Sequence, residues 1–209
     1  MVSTSGLPEK TLTLRGLRTR KLLVTAARTI FERDGFATAR ITDIAELAGV
    51  AHGTFYTYFD SKDEIFREVI LEVRQSMLTG EIDDAPASDG PVGPRESIRR
   101  ANRRYLTTYR ANHQLMVIWE QAATINDEFE TMLGDSRQRF TERSERKILS
   151  LQRDGLADPA INAHYAAIAL GAMVSKFAYI WFAGRETFDF DVAVEQLTTL
   201  WCKALGIEA

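Results

Sequence analysis

Apolar residues recur at helical intervals along most of the chain. Between residues 18 and 34 they lie three or four positions apart, which predicts an α-helix with one buried face. These residues are Leu22, Leu23, Ala26, Ala27, Ile30 and Phe31. Gly35 follows in a position that favours a left-handed cap, so this first helix is expected to end there.

The same period predicts helices through the rest of the sequence. A short second helix covers Ile41 to Ala48 and is closed by Gly49, a third covers 51–59, and a Ser61-x-x-Glu64 capping box opens a fourth that runs to Thr79. Residues 80–94 lack periodicity and hold three prolines, so a loop is expected there. Further helices are predicted over 95–112, 114–124, 127–154, 162–183 and 191–205. No alternating strand pattern occurs, so the predicted fold class is all-α.

Composition allows a globular protein of one or two domains. The 209 residues are 45% hydrophobic and 26% charged, and the single cysteine, Cys202, excludes an intrachain disulfide. The sequence shows no signal peptide, and a cytoplasmic location is expected. Residues 165–184 are long and apolar enough to span a membrane, but Lys176 lies near their centre. A buried core or interface helix, and no membrane partner, is the preferred interpretation.

Charge is unevenly distributed along the chain. The overall net charge of −3 argues against a nucleic-acid partner. Residues 1–62, however, hold nine basic and six acidic residues, a net charge of +3, whereas the remainder holds 17 and 23, a net charge of −6. The modest excess is compatible with chance, but it also permits a polyanion to bind the N-terminal part alone.

Residues 40–62 carry the most specific pattern. Two short predicted helices meet at Ala48-Gly49-Val50, where glycine permits a tight turn. Phe55 and Phe59, four positions apart, are expected to point inward and anchor the second helix of this pair. Its other face then presents polar groups, as in the helix-turn-helix, whose second helix enters the DNA major groove.

From about Leu17 to Met77 the sequence resembles the DNA-binding domain of the TetR family of transcriptional regulators. The matching features are Ile44-Ala45, Ala48-Gly49-Val50, Gly53-Thr54-Phe55-Tyr56, Tyr58-Phe59 and Lys62, after an apolar first helix. The resemblance implies a helix-turn-helix domain over 17–77, with the motif at about 40–59, and a ligand-binding and dimerisation domain over 78–209. Residues 1–16 would be a flexible basic arm. It also implies a homodimer that binds double-stranded operator DNA.

The resemblance places DNA contacts on eight residues. By position they are Arg40, Thr42, His52, Gly53, Thr54, Tyr56, Tyr58 and Lys62. Tyr56 and Lys62 would contact phosphates, and His52 and Thr54 would contact base edges. Arg40 and His52 depart from the residues usual in the family. A cluster of Arg15, Arg18, Arg20 and Lys21 would extend the arm into a minor groove or, alternatively, form a solvated helix start.

The C-terminal part offers a candidate effector pocket. Aromatic and apolar residues on its helices would line the pocket, although plain core packing is the preferred explanation for each residue taken singly. They are Tyr105, Tyr109, His113, Met116, Trp119, Phe129 and Phe140. Polar groups at Asn102, His113, Glu120 and Gln121 would orient a ligand. Because few charged residues interrupt these faces, the sequence favours a small, largely apolar effector.

The last two predicted helices are candidates for the dimer interface. Apolar residues follow helical spacing on both, and the resemblance implies a four-helix bundle between two subunits, with a monomeric core as the alternative. The predicted interface residues are Leu170, Met173, Val174, Phe177, Trp181, Leu197 and Trp201. Ala169, Gly171 and Ala172 would allow close approach of the helices.

Other classes of function fit the sequence less well. The three histidines make no metal-ligand pair, and the glycines form no phosphate-binding or dinucleotide motif, so neither an enzyme, a metal site nor a cofactor is predicted. A helical protein–protein adaptor would explain the C-terminal helices but not residues 40–62. The sequence therefore predicts a ligand-responsive DNA-binding regulator, a repressor in preference to an activator of the same family.

Overall fold

The computed structural model describes residues 13–79, 92–184 and 186–208, without the side chains of residues 78 and 79. All regular structure in these residues is helical, which confirms the all-α prediction. The helices are α1 (Leu14–Thr38), α2 (Ile41–Leu47), α3 (His52–Tyr58), α4 (Lys62–Thr79), α5 (Pro94–Ala123), α6 (Asp127–Arg153), α7 (Ala163–Ala183) and α8 (Phe190–Leu205). They form two compact units, residues 1–69 and 70–209, and α4 runs from the first into the second.

The first unit has an aromatic core. Phe31 and Phe66 meet edge to face with ring centroids 4.9 Å apart, and Phe36 packs on Phe66 at 4.7 Å. The chain continues helically to Thr38 beyond the predicted end, but Gly35 has a φ of 76° inside this stretch. A residue with a side chain is strained at this φ, so the glycine permits the kink that brings Phe36 onto the core.

Helix α1 begins earlier than the sequence predicts. The hydroxyl of Thr13 accepts a hydrogen bond from the Gly16 amide at 3.2 Å and caps the helix. The flexible arm predicted over 1–16 is therefore too long at its C-terminal end, and residues 1–12 lie outside the described residues. Arg15 and Arg18 lie on the exposed start of a helix, which was the alternative interpretation.

The capping box at the start of α4 forms in a shifted version. The hydroxyl of Ser61 accepts from the Glu64 amide at 3.1 Å, as predicted. The Glu64 carboxylate accepts from the amide of Asp60 at 2.6 Å, one residue before the expected donor. The first interaction satisfies an amide that the start of the helix leaves free, and the second satisfies the amide just before the cap.

The second unit packs α5 against α6, α7 and α8, and α6 against α7. The predicted break between residues 112 and 114 is wrong, because α5 is one helix of 30 residues. Asn112 is accommodated inside it by donating to the Thr108 carbonyl at 2.8 Å. The remaining predicted helices are confirmed to within a few residues, and most of the predicted 80–94 loop lies outside the described residues.

Candidate DNA-binding surface and effector cavity

Helix α3 presents one buried face and one exposed face. Phe55 and Phe59 are 0% and 1% exposed, which confirms the predicted anchor. Their rings lie 5.8 Å apart at the centroids, consistent with two residues one helical turn apart. The anchor therefore fixes which residues of this helix face solvent.

The turn before α3 depends on Gly49. Its φ is 71°, and the following amide, that of Val50, donates to the Ala45 carbonyl at 3.0 Å. This left-handed glycine with a bond back across the helix end is the arrangement of a Schellman-type cap. It ends α2 and redirects the chain into α3.

The structure brings five of the predicted DNA contacts together on α3. His52, Gly53 and Tyr56 are exposed, whereas Thr54 and Tyr58 are half-buried. The His52 and Tyr56 rings meet edge to face at 5.4 Å, and a Cβ at Gly53 would have no atom within 4 Å. This surface therefore combines hydrogen-bonding groups with open space at Gly53, where a bound molecule could approach the protein backbone closely.

Arg40 and Thr42 lie at the start of α2. Both are exposed, and Arg40 occupies the N-cap position without capping the helix through its side chain. The Thr42 hydroxyl donates to the Asp43 carboxylate at 3.1 Å. The hydrogen bond from Arg33 and, less strongly, the charge of Arg40 lower the pKa of Asp34, so Arg40 has an acidic neighbour within the first unit.

Lys62 has a partner that the sequence did not reveal. Its Nζ donates to the carbonyls of Ala37 and Ala39, at 3.1 and 3.2 Å, and lies 4.9 Å from the centroid of the Phe36 ring. Those carbonyls lie at the C-terminal end of α1, where a cation offsets the helix dipole. Two of its three N–H groups are thus used within the domain, although a phosphate contact was expected.

Arg20 also has a structural role instead of the predicted arm role. Its guanidinium forms two contacts of 2.9 Å with the Glu68 carboxylate and lies 5.0 Å from the Phe59 ring centroid. The hydrogen bond from Arg20 holds the pKa of Glu68 below its ordinary value. Arg20 thereby links α1 to α4 and to the anchor of α3.

The second unit contains a cavity of about 980 Å³ that is partly open to solvent and lies at the upper end of the usual size for a ligand pocket. Four of the seven predicted pocket residues line it, namely Tyr105, Met116, Trp119 and Phe140. Asn102 and Glu120 also line it, but Gln121 does not.

Three predicted pocket residues lie elsewhere. Tyr109 is buried behind the cavity, with its ring 5.9 Å from that of Tyr105. Phe129 is fully buried, and its carbonyl accepts from Trp119 Nε1 at 3.2 Å. His113 Nδ1 donates to the Arg110 carbonyl at 2.9 Å. Helical spacing identified the correct helices but not the faces that surround the cavity.

Charged residues on the cavity wall contradict the reason given for an apolar effector. Eight basic side chains line the cavity and are called the basic wall below: Arg74, Arg100, Arg104, Arg137, Arg139, Arg143, Lys147 and Lys176. Glu120 is the one carboxylate among the lining residues. The spacing of four between Arg100 and Arg104, and between Arg139 and Arg143, was a signal in the sequence that these residues share a face.

Only some of the predicted dimer-interface residues have side chains that are accessible at the surface of the single chain. Leu170, Val174, Leu197 and Trp201 are at most 9% exposed, so they belong to the protomer's own core, and Val174 and Trp201 line the cavity. Met173, Phe177 and Trp181 are half-buried. Gly171 faces α6, because a Cβ there would lie 2.9 Å from the Phe140 ring.

A different set of apolar residues is exposed on the last two helices. Tyr165, Ile168 and Ile180 on α7 and Val192 and Leu200 on α8 are 44–74% exposed. Among the described residues, α7 is the one helix long and apolar enough to cross a membrane, and 22% of its apolar window is buried. Large exposed apolar surfaces of this kind mark interaction sites.

The described residues contain no group of three or more His, Cys, Asp or Glu side chains arranged to hold a metal ion.

Comparisons with known proteins assign both units. The sequence pattern of bacterial regulatory proteins of the tetR family matches residues 23–69. The pattern of the C-terminal domain of the transcriptional regulator EthR matches residues 98–206, which is more than half of the chain. The first match contains α2 and α3, and the second contains most of the cavity.

Relatives and solved structures agree with this assignment. The uncharacterized HTH-type transcriptional regulator YhgD of Bacillus subtilis (strain 168) is 31% identical over 140 residues, 66% of this chain and 68% of its own. The HTH-type transcriptional repressor BepR of Brucella suis is 28% identical over 181 residues, 82% of this chain and 84% of its own. A crystal structure of a TetR-like transcriptional regulator from Rhodococcus sp. RHA1 has a TM-score of 0.69 at 25% identity, covering 92% and 97% of the two chains. The chain belongs to the tetR family of bacterial regulatory proteins.

Proposed function

We propose that this DNA-binding transcriptional regulator is a homodimeric repressor that binds a two-fold operator through α3 and leaves it when a small molecule fills the cavity. The observation that carries the proposal is the anchored α3, whose polar face lies opposite Phe55 and Phe59. The repressor named BepR, similar to this chain over most of its length, supports repression over activation.

The proposed DNA contacts lie on this surface. We propose that His52, at the start of α3, and Thr54 contact base edges, whereas Tyr56 and Arg40 contact phosphates. Gly53 allows close approach of the backbone, and Thr42 and Tyr58 lie at the margins. Lys62 is assigned to the fold of the domain in preference to a phosphate contact, because two of its donors are already used.

Selection of bound DNA from a random pool tests sequence recognition. A dimer is expected to enrich a two-fold symmetric site with half-sites about one helical turn, or a multiple of it, apart. Affinity for the enriched duplex should fall steeply with salt, since every phosphate contact contributes about 0.9 to the slope of log K against log salt. A protein–protein adaptor would enrich nothing, and that outcome would contradict the proposal.

The dimer is assigned to the exposed apolar residues of α7 and α8. A two-fold reader needs a second copy, and Ile180 and Leu200 are 44% and 49% exposed although both are large and apolar. Ile180→Glu is expected to yield monomers in light scattering and to weaken operator binding. Ile125→Glu, at a 73% exposed position between α5 and α6, is the matched control. An Ile180→Glu variant that remains dimeric would refute this assignment.

Effector release is assigned to α4. This single helix carries Glu68, the partner of Arg20 in the first unit, and also Val73, Arg74 and Met77, which line the cavity. We propose two conformations that differ in the position of α4, of which one binds DNA. A ligand with a higher affinity for the other conformation lowers the population that binds DNA, to an extent set by the ratio of its two affinities. The enriched duplex should be released by an effector identified through binding, and variants of Met77 should change the release without changing DNA affinity in its absence.

A further inference from the structure

The basic wall is unusual in having almost no opposite charge. Eight basic residues and one carboxylate, that of Glu120, line the same cavity. Among the described residues, Arg100 is the member with a direct ion pair, to Glu96 at 2.9 Å. No carboxylate of a described residue lies within 4.0 Å of Arg104 or Arg143. Nearby arginines in the same unit are paired, as in Arg103 with Asp191 and Arg95 with Glu195.

Like charges within the basic wall face each other. Partial burial lowers the pKa of Arg143, and the positive charge of Arg104 lowers it further. Partial burial and the charge of Arg139 act in the same way on the pKa of Arg74, and the charge of Asp135 opposes them. Burying cations beside cations costs free energy unless an anion accompanies them. Arg74 and Arg143 therefore lie where an added anion is favoured, whereas Arg137, Arg139, Lys147 and Lys176 are exposed to solvent.

One buried donor also lacks an acceptor at this cavity. Trp201 lines it, and the indole Nε1–H has no hydrogen-bond partner among the described residues. The hydroxyl of Tyr109 also lacks a partner among the described residues, but Tyr109 does not line the cavity. A buried donor without a partner is rare in folded proteins, and a ligand with an acceptor atom would satisfy the indole of Trp201.

Other parts of the lining are apolar. Leu133, Phe140, Ile148, Met116 and Val174 contribute buried or half-buried hydrocarbon surface. An inorganic anion would leave this surface in contact with water, and a neutral hydrocarbon would leave the basic wall without counter-charge. A single molecule with both an anionic group and an apolar part would match the basic wall and the apolar lining together.

We propose that the cavity binds an amphipathic anion, with an apolar chain against this hydrocarbon surface and a head of two or more negative charges, such as a phosphate ester, against Arg104 and Arg143. The proposal rests on the proposed function in taking this cavity as the effector site. It replaces the largely apolar effector expected from the sequence.

Calorimetry with three probes tests the ligand class on the full-length protein without DNA. The probes are decyl phosphate, decyltrimethylammonium and inorganic phosphate, each below its micelle concentration. Decyl phosphate is expected to bind more tightly than either of the others by about tenfold or more, because it alone satisfies both linings. Equal binding of the decyl cation and the decyl anion would overturn the proposal.

The double variant Arg104→Gln/Arg143→Gln tests the assigned residues. It should weaken decyl phosphate by about tenfold or more, since it removes two charge-assisted contacts. Arg153→Gln, an exposed position on α6 outside the cavity, is the matched control and should bind as the wild type does. The double variant should melt no lower than wild type without ligand, because like-charge repulsion is removed. Should it fail to fold, the exposed Arg137→Gln is expected to weaken binding in the same direction, and unchanged binding would overturn the proposal.

Failure of this proposal and failure of the proposed function give different results. Tight binding to an enriched duplex, together with undetectable decyl phosphate binding, would overturn the ligand class and leave the regulator intact. Decyl phosphate binding that depends on the basic wall would support the ligand class even if no DNA site were enriched, and the proposed function alone would then fail.

Discussion

Substitution of Lys62 distinguishes a structural role of this side chain from a role in DNA contact. Its ammonium makes two hydrogen bonds to carbonyls at the end of α1 and one contact with an aromatic ring. Lys62→Met keeps the aliphatic stem but removes the donors and the charge. We expect the free energy of unfolding to fall by about 2 kcal/mol, at roughly 0.5–1 kcal/mol for each of the three partly exposed contacts.

The assay is urea unfolding followed by circular dichroism. Lys21→Met is the control, because Lys21 is exposed on α1 of the same unit, and it should change stability by less than about 0.5 kcal/mol. Hydrogen exchange at residues 36–39 should increase in Lys62→Met before it does elsewhere, since those residues lose their cap.

DNA binding of the Lys62→Met variant can refute the structural assignment of Lys62. If Lys62 instead binds a phosphate, Lys62→Met should lower the slope of log K against log salt by about 0.9 for each phosphate that the lysine neutralises, and stability should be nearly unchanged. An unaltered free energy of unfolding together with such a fall in slope would refute the structural assignment.

Three further predictions concern single contacts. In a double-mutant cycle on Arg20→Ala and Glu68→Gln, a coupling of about 1 kcal/mol is expected because the pair is only partly exposed, and independent effects would contradict the observed link between α1 and α4. Gly49→Ala should cost about 1 kcal/mol in urea unfolding through its φ of 71° alone, as no atom lies within 4 Å of the added Cβ, and an unchanged midpoint would count against the cap. Arg99 and Arg100 lower the pKa of Glu96 from 4.5 to about 2, so its stabilisation, about 1 kcal/mol after solvent screening, is present above pH 4.5 and is lost as the pH falls towards 2. Glu96→Gln should remove that part of the acid dependence of unfolding, and identical acid profiles would exclude it.

Local sequence signals were sufficient for most of the helices. Period, caps and turn glycines act over a few residues, so the Gly49 turn and the Ser61 cap were predicted from the sequence and are present in the structure. The break predicted between residues 112 and 114 does not occur, although asparagine is a poor helix former. The side chain of Asn112 instead bonds to the carbonyl one turn earlier, which a sequence does not display.

The site depended more on tertiary packing. Helical spacing shows that Leu197 and Trp201 share a face, but not whether that face meets the protomer's own core or a second copy. The carbonyl partners of Lys62 lie 23 and 25 residues away in sequence, beyond any local pattern. The basic wall was not predicted because its charges come from four helices, and the spacing of four on α5 and on α6 does not show that these faces meet at one cavity.

The preference of the protein for its selected duplex over a scrambled duplex, measured by fluorescence anisotropy at fixed salt, tests the central claim most directly. The wild type should prefer the selected duplex by about a thousandfold or more. Thr54→Ala on α3 should lose roughly tenfold of that preference while remaining folded, and Thr25→Ala, at an exposed position on α1, should retain it. Equal affinity of the wild type for both duplexes would contradict the assignment of α3 as a sequence-reading helix.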